Sequence, residues 1–519
     1  MARLELSAAV LILHFLCVVT QVRSADYFLT VGGGYAPTGN QISLEKNVHF
    51  FQHVLEARYP AGPVQHDIFF SDGDDPGRDL QYVDAEAKLP RVNLLLATIF
   101  RKTNYLNHRY RSHQVPGVTG ATTRSNLADW FVEEGAQLKA GDRLVVYVTA
   151  HGGKSKDKKR PENTQLFLWN NQPILMTELT RHLDKLPAEV PVVLVMVQCY
   201  SGGFANVIFK EGDSSKGLAQ PNRCGFYATV QTRPAAGCTP DINEENYHEY
   251  SSYFWAAILG ATRTGQAVSS CDYNEDGVVS FSEAHAYALL TSSTIDISVK
   301  TSDAFLRAYS EYPKPGSKGN RRKRRRDERP PQPVVRLWHP DSAFADLLDL
   351  ARPEERVVLQ GLSGQLEFFE SRRARQAQTV ASRLAKENKD GLSNRNKMRG
   401  QYDKLAARIR REVINRWPEL ANPWHPSAAT IIQKEADAIV ECVESHKGYK
   451  RFSQLRRRLN RLSQEQLNRD RKWAKCQRLI RTLENVALAA NLPHVASAGR
   501  QIEYARLLGA EMATLGAGQ

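Results

Sequence analysis

The chain has 519 residues, 42% of them hydrophobic and 24% charged. That composition supports a folded core and excludes a wholly disordered chain, a collagen or a multi-span membrane protein. The formal charge of +14 is uneven: residues 1–313 hold 28 Lys/Arg against 33 Asp/Glu, residues 314–340 hold 10 against 2, and residues 341–519 hold 32 against 21. An acidic front and a basic rear imply units with different partners.

The opening has the anatomy of a secretory signal peptide, residues 1–24. Arg3 is followed by the apolar run from Ala8 to Thr20, and Val22 and Ser24 are small residues ahead of a cut before Ala25. The run is shorter than the roughly 18–20 residues a membrane span needs. The expectation is a secreted, periplasmic or otherwise extracytoplasmic protein with no span after cleavage. Export permits disulfides among the remaining six cysteines. Cys224 with Cys238, and Cys442 with Cys476, are two pairings open to it, and spacing does not choose between these and others.

From residue 25 to 313 strand-like and helical stretches alternate. Tyr27–Val31, Ile68–Phe70, Leu144–Ala150, Gln165–Trp169, Val190–Val197 and Phe226–Val230 read as strands. Several are unbroken Val/Leu runs, as in a parallel sheet buried on both faces. Helices are expected near 44–58, 122–139, 176–186, 203–210 and 251–262. This alternation predicts an α/β layered fold with a mostly parallel sheet.

Two strands end alike. Leu144–Ala150 runs into His151-Gly152-Gly153, and Val192–Gln198 runs into Cys199-Tyr200-Ser201-Gly202-Gly203. Functional groups in open α/β sheets cluster beyond the carboxyl ends of strands. Neighbouring parallel strands bring His151 beside Cys199, and a thiol needs such a base to react near neutral pH. Glycines after each residue let backbone approach a substrate closely. The N–H groups of Gly152 and Cys199 are then placed to face a developing oxyanion. The glycines of Val31-Gly32-Gly33-Gly34 do not make a nucleotide loop, because Pro37 stands where the third glycine belongs and no Walker lysine follows.

The strand–His-Gly and strand–Cys arrangement resembles the caspase-like cysteine peptidases. VVYVTAHGG, VVLVMVQCYSGGF and the later Gly225–Val230 resemble the legumain-like group most closely, over roughly residues 26–265. The resemblance implies a caspase-like three-layer sandwich, Cys199 as nucleophile, His151 as general acid/base, and a Tyr-Ala-Thr strand bordering the substrate pocket. It also implies peptide-bond hydrolysis, with transamidation as a variant within the family. Gln198 stands where the group has Ala or Gly. The group also carries an Asn and an Arg after its first strand; Asn40 is the candidate for the first, the arginine has no counterpart here, and a preference for Asn or Asp is not carried over.

Asp272–Glu283 fits a twelve-residue EF-hand loop. Asp272, Asn274 and Asp276 hold positions 1, 3 and 5, Gly277 makes the turn, Val278 offers its carbonyl, Ser280 stands at position 9 and Glu283 at 12. Calcium is the expected cofactor, in a structural role, because no second loop of this kind pairs with it.

Residues 314–340 combine Pro, Gly, Ser and six consecutive basic residues at 321–326, the composition of an extended linker. Beyond it, Tyr402, Leu405, Ile409, Val413 and Trp417 mark one helix face, so 341–519 is expected to be a basic antiparallel helical bundle. The linker and bundle suit a polyanion as partner, without an aromatic or zinc pattern that specifies nucleic acid. Two alternatives to the peptidase stay open: an inactive caspase-like calcium-binding scaffold, and a polyanion-binding surface protein.

Overall fold

The computed structural model describes residues 25–62, 64–313, 337–422 and 424–516. The signal segment 1–24 and the basic run 321–326 lie outside them.

The strands are β1 (Asp26–Gly33), β2 (Gln65–Phe70), β3 (Leu80–Tyr82), β4 (Arg109–Arg111), β5 (Arg143–Gly153), β6 (Gln165–Leu168), β7 (Gln172–Leu175), β8 (Val192–Met196), β9 (Arg223–Tyr227) and β10 (Val299–Lys300). The central sheet runs β10-β9-β8-β5-β1-β2. The pairs β1–β2, β1–β5, β5–β8 and β8–β9 are parallel, and β10 alone closes the path antiparallel. β6 and β7 fold back on the end of β5, and β3 pairs β4 in a small separate ladder.

The front-half helices are α1 (Ile42–Arg58), α2 (Arg91–Ile99), α3 (Arg124–Val132), α4 (Met176–Leu183), α5 (Tyr250–Leu259), α6 (Phe281–Thr291) and α7 (Thr301–Tyr309). Alternate residues of each central strand enter opposite cores, which is why the strands are apolar throughout. Val193 and Val195 pack with Phe50, Phe51 and Trp255 on one face. Leu194 and Met196 pack with Trp130, Phe131 and Leu179 on the other. The expected helix at 203–210 is instead a 3-10 segment, Ser201–Ile208.

The rear half is helical: α8 (Phe344–Leu350), α9 (Pro353–Leu366), α10 (Arg373–Arg416), α11 (Ala428–Lys434), α12 (Ala436–Ser445), α13 (Tyr449–Val495) and α14 (Ala498–Glu511). α10 and α13 form an antiparallel hairpin. Near its base Asn388 donates to Asp470 at 2.8 Å, and farther along Tyr402 stacks on Phe452 at 4.8 Å.

These helices share their cores with the sheet. Leu488, Leu492, Tyr504, Leu507 and Leu515 belong to one sheet-face core. Val92, Leu95, Leu96 and Ile99 of α2 are buried against α10, α12 and α13. Arg478 of α13 is fully buried and donates to the carbonyls of Leu289, Ser292, Thr294 and Asp296. Asn491 ties down both flanks of the 314–336 segment. Its Nδ2 donates to the carbonyls of Glu311 and Trp338, and its Oδ1 accepts from Trp338 N–H.

The six described cysteines are free thiols. Cys224 sits in one sheet-face core while Cys238 packs beside another cluster, and Cys442 and Cys476 lie in two different helical cores. No helix among the described residues is long and apolar enough to cross a membrane.

Candidate active site and ion-binding loops

β5 and β8 are in parallel register with Val148 opposite Met196, and Val197 N–H continues the ladder to Val148 O at 3.0 Å. Three residues further along each chain stand His151 and Cys199. His151 is still within β5, opposite Phe167 of β6, whereas Cys199 lies beyond the end of β8, with its carbonyl against Gly152.

His151 is set by the turn after β1. Its Nε2 lies 2.7 Å from Gly39 O and 2.9 Å from Gln41 Oε1, and its ring meets Tyr35 edge-on at 5.2 Å. A carbonyl oxygen can only accept, so Nε2 carries the proton and Nδ1 is the basic nitrogen. Burial depresses the imidazole pKa, and the Gly39 carbonyl partly opposes that.

Cys199 Sγ faces the loop after β9. Ala235 N–H donates to it at 3.3 Å, and Sγ stands 3.8 Å from Ala235 O. Burial pushes the thiol above its ordinary 9.0, Ala235 N–H pulls it back in part, and the nearby Asp296 charge adds to the rise. Among the described residues His151 and Cys199 share no hydrogen bond. Both shifts run toward the neutral forms, thiol and imidazole.

A pH profile follows. The thiolate of Cys199 forms only as pH approaches and passes 9, so its iodoacetamide alkylation rate should rise about tenfold per unit between pH 7 and 9. A plateau reached by pH 7, read by mass spectrometry of the Cys199 peptide, would mean that a preformed thiolate–imidazolium pair is present.

The backbone turns sharply after the nucleophile. Tyr200 adopts φ +61°, in the left-handed region, and is held by its N–H to Arg233 O at 2.9 Å. The glycines here serve the protein's own packing rather than substrate approach. A Cβ on Gly202 would stand 2.6 Å from Thr229 O, and one on Gly203 2.3 Å from Glu162 O. Gly152 is pressed against Cys199 O, and the space its side chain would need is taken by Gln198 Cγ. The large residue before the nucleophile is thus accommodated by the glycine after the histidine. The Gln198 amide is buried with neither end hydrogen-bonded.

Asn40 is fully engaged within the fold: Oδ1 accepts Gly34 N–H at 3.0 Å, and Nδ2 donates to Ser71 Oγ and Asp79 Oδ2 at 3.0 and 2.9 Å.

The Asp272–Glu283 loop closes on its own amides. Asp272 accepts from Asp276 and Gly277 N–H, Asn274 Oδ1 from Asp276 N–H, and Asp276 Oδ1 from Val278 N–H. Glu283 is fully buried. Its Oε1 accepts from Tyr273 and Asn274 N–H, and its Oε2 from Ser280 N–H and hydroxyl. The outgoing helix is α6, capped by Ser280. Upstream, α5 ends at Leu259, so no helix leads directly into the loop.

Sequence reasoning missed three features. Asp296, buried beside the nucleophile loop, accepts Ala236 N–H at 2.7 Å, and burial raises it to about 6. Arg233 lies over Trp473 of α13 at 4.5 Å. Asp72, Asp79 and His113 gather at the end of β2. Burial and the neighbouring Asp79 raise Asp72 to about 7. The acidic run Asp72–Asp79 was the visible signal for the last of these; its histidine was not.

No family model matches the chain, and no curated protein matches it. Among solved structures it is similar to a Geobacter sulfurreducens protein, GSU0716, at 12% identity and a TM-score of 0.25, covering 41% of this chain and 77% of that one.

Proposed function

We propose that the protein is an exported cysteine endopeptidase of the caspase-like, legumain-like kind, acting through Cys199 and His151. The observation that carries this is the close approach of Cys199 O to Gly152, which sets the nucleophile's backbone against the residue after His151 where two adjacent parallel strands run out of register pairing. His151 Nδ1 would accept the thiol proton as sulfur attacks a peptide carbonyl, and would return it to the leaving amine. The acyl-enzyme is then resolved by water, or by an amine in the transamidase variant. The N–H groups of Cys199 and Gly152 are the proposed donors to the oxyanion. The chemistry starts from neutral partners, so substrate must complete the contact that the resting pair lacks. Calcium at Asp272, Asn274, Asp276, Val278, Ser280 and Glu283 would brace the entry to α6, and the basic linker and helices would engage polyanions.

A second reading, an inactive calcium-binding scaffold, is favoured by one feature: the thiol and imidazole are each bonded elsewhere, beside an unpartnered Gln198 amide. Acyloxymethyl-ketone peptide probes with varied residues before the reactive carbonyl separate the two. Labelling at Cys199 by any of them supports the peptidase. Intact protein that takes up none, while iodoacetamide still reaches Cys199 at high pH, supports the scaffold.

Calcium gives its own expected result. It should raise the melting temperature of the wild type by mass action and leave that of Glu283→Gln nearly unchanged. Equal shifts in differential scanning fluorimetry would place the ion elsewhere.

A further inference from the structure

Asp72, Asp79 and His113 come from three segments and meet at the carboxyl edge of the sheet. Asp72 lies in the turn after β2, Asp79 just before β3, and His113 just after β4. Each offers one ligand atom, and the three atoms lie within 4.8 Å of one another. Around a single dication with bonds of about 2.1–2.4 Å, opposed ligands stand roughly 4.2–4.8 Å apart and adjacent ones closer. Asp72 Oδ1 is 4.0 Å from His113 Nε2.

A second observation is independent of this grouping. Asp72 Oδ1 is shut off from solvent and has no hydrogen-bond partner. A buried carboxylate oxygen left this way is costly. The other ligands are held from behind, as metal ligands are. Asp79 Oδ1 accepts His113 N–H at 2.8 Å, and its Oδ2 accepts Asn40 Nδ2 at 2.9 Å. Gly73 O, 2.9 Å from His113 Nε2, is a third oxygen in the cluster. Among the described residues neither aspartate is ion-paired with lysine or arginine.

We propose that Asp72, Asp79, His113 and the Gly73 carbonyl bind one divalent cation that takes both oxygen and imidazole ligands, such as Mn2+, at a site separate from 272–283. Two carboxylates balance its charge, and three oxygens with one nitrogen suit manganese better than a thiol-seeking metal. On binding, His113 Nε2 exchanges its contact with Gly73 O for the ion. The proton moves to Nδ1, which gives up the long 3.4 Å contact from Val115 N–H. The ion would also fix Asp79, and through it Asn40, at the end of the turn whose Gly39 carbonyl orients His151. The site stands whether or not the peptidase reading holds.

The test is an electron paramagnetic resonance titration of the full chain with MnCl2, in buffer containing calcium. One bound Mn2+ is expected in the wild type and in Glu283→Gln, with affinity reduced at least about tenfold in Asp72→Asn and His113→Ala. Asp72→Asn keeps the side chain's shape, so it decides the matter should His113→Ala fail to fold. Absence of wild-type binding at millimolar Mn2+, equal binding by wild type and Asp72→Asn, or loss of binding in Glu283→Gln would each overturn the proposal.

Discussion

Cys199→Ala should reduce peptide-probe acylation to background, and His151→Ala should cut it by on the order of 10³-fold or more, both without a comparable loss of stability. Cys199→Ala gives up only a weak 3.8 Å donation to Ala235 O and frees one backbone donor, Ala235 N–H, in a half-buried loop. His151→Ala does free Gly39 O and Gln41. These lie at the carboxyl edge of the sheet, where water can replace the imidazole. His151→Gln is a useful companion, because it keeps a donor toward Gly39 O and removes the base. If His151→Gln acylates as fast as wild type, the imidazole is a structural strut and not the base. If Cys199→Ala is still labelled, the nucleophile lies elsewhere.

Glu511→Ala should destabilise the folded protein by about 3–5 kcal/mol, the range for breaking one partner out of a buried ion pair. Glu511 of α14 is fully buried, and its Oε2 stands 2.9 Å from Lys300 Nζ. The same carboxylate accepts from Thr301 Oγ1, Ser302 N–H and Ser302 Oγ at 2.7–2.8 Å. It therefore caps the amino terminus of α7, where a negative charge is favoured. Alanine would leave Lys300 Nζ with Ser282 Oγ as its remaining hydrogen-bond partner in a dry site, and would leave the α7 amino terminus only the Asp303 carboxylate, which accepts Lys300 N–H at 3.4 Å. Glu511→Gln, which keeps the shape and loses the charge, should cost less. The measurement is the urea midpoint followed by both tryptophan fluorescence and far-ultraviolet circular dichroism. A midpoint for Glu511→Ala within error of wild type would show that α14 is an ornament on the sheet rather than part of its core.

The sheet was readable where the chain is buried on both faces, because Leu144–Ala150 and Val190–Val197 leave no other use for such residues. β9 was placed a few residues late. It begins at Arg223, a charge that reads as loop. In the fold its guanidinium is buried against Asp184 and the carbonyls of Val207 and Gln220. α2 went unseen since its apolar face meets helices some 300 residues later, and nothing nearby in sequence announces them. The apolar content of 203–210 predicts an α-helix, and the tight backbone contacts of Gly202 and Gly203 instead set a 3-10 geometry over Ser201–Ile208. That β5 and β8, the strands leading to His151 and Cys199, are parallel neighbours was legible from their unbroken Val/Leu runs. Asp296, Arg233 and the Asp72 cluster were not, because each gains its meaning from loops that meet only in three dimensions.

The last described residues touch some of the first. Arg143 Nη2 donates to Thr514 O while pairing with Asp26, Arg58 donates to Leu515 O, and Gly516 N–H reaches Tyr59 Oη. With Leu515 wholly inside a sheet-face core, that core cannot close until residue 515 has been made. At about 5–20 residues per second, the sheet would wait roughly 15–60 s after β9 (Arg223–Tyr227) is made, with an apolar face uncovered. The fold thus has a long vulnerable interval, in which holdase chaperones or export in an unfolded state would be decisive for yield. Variants lacking residue 514 and all that follows should be recovered as aggregates, not as a smaller folded protein.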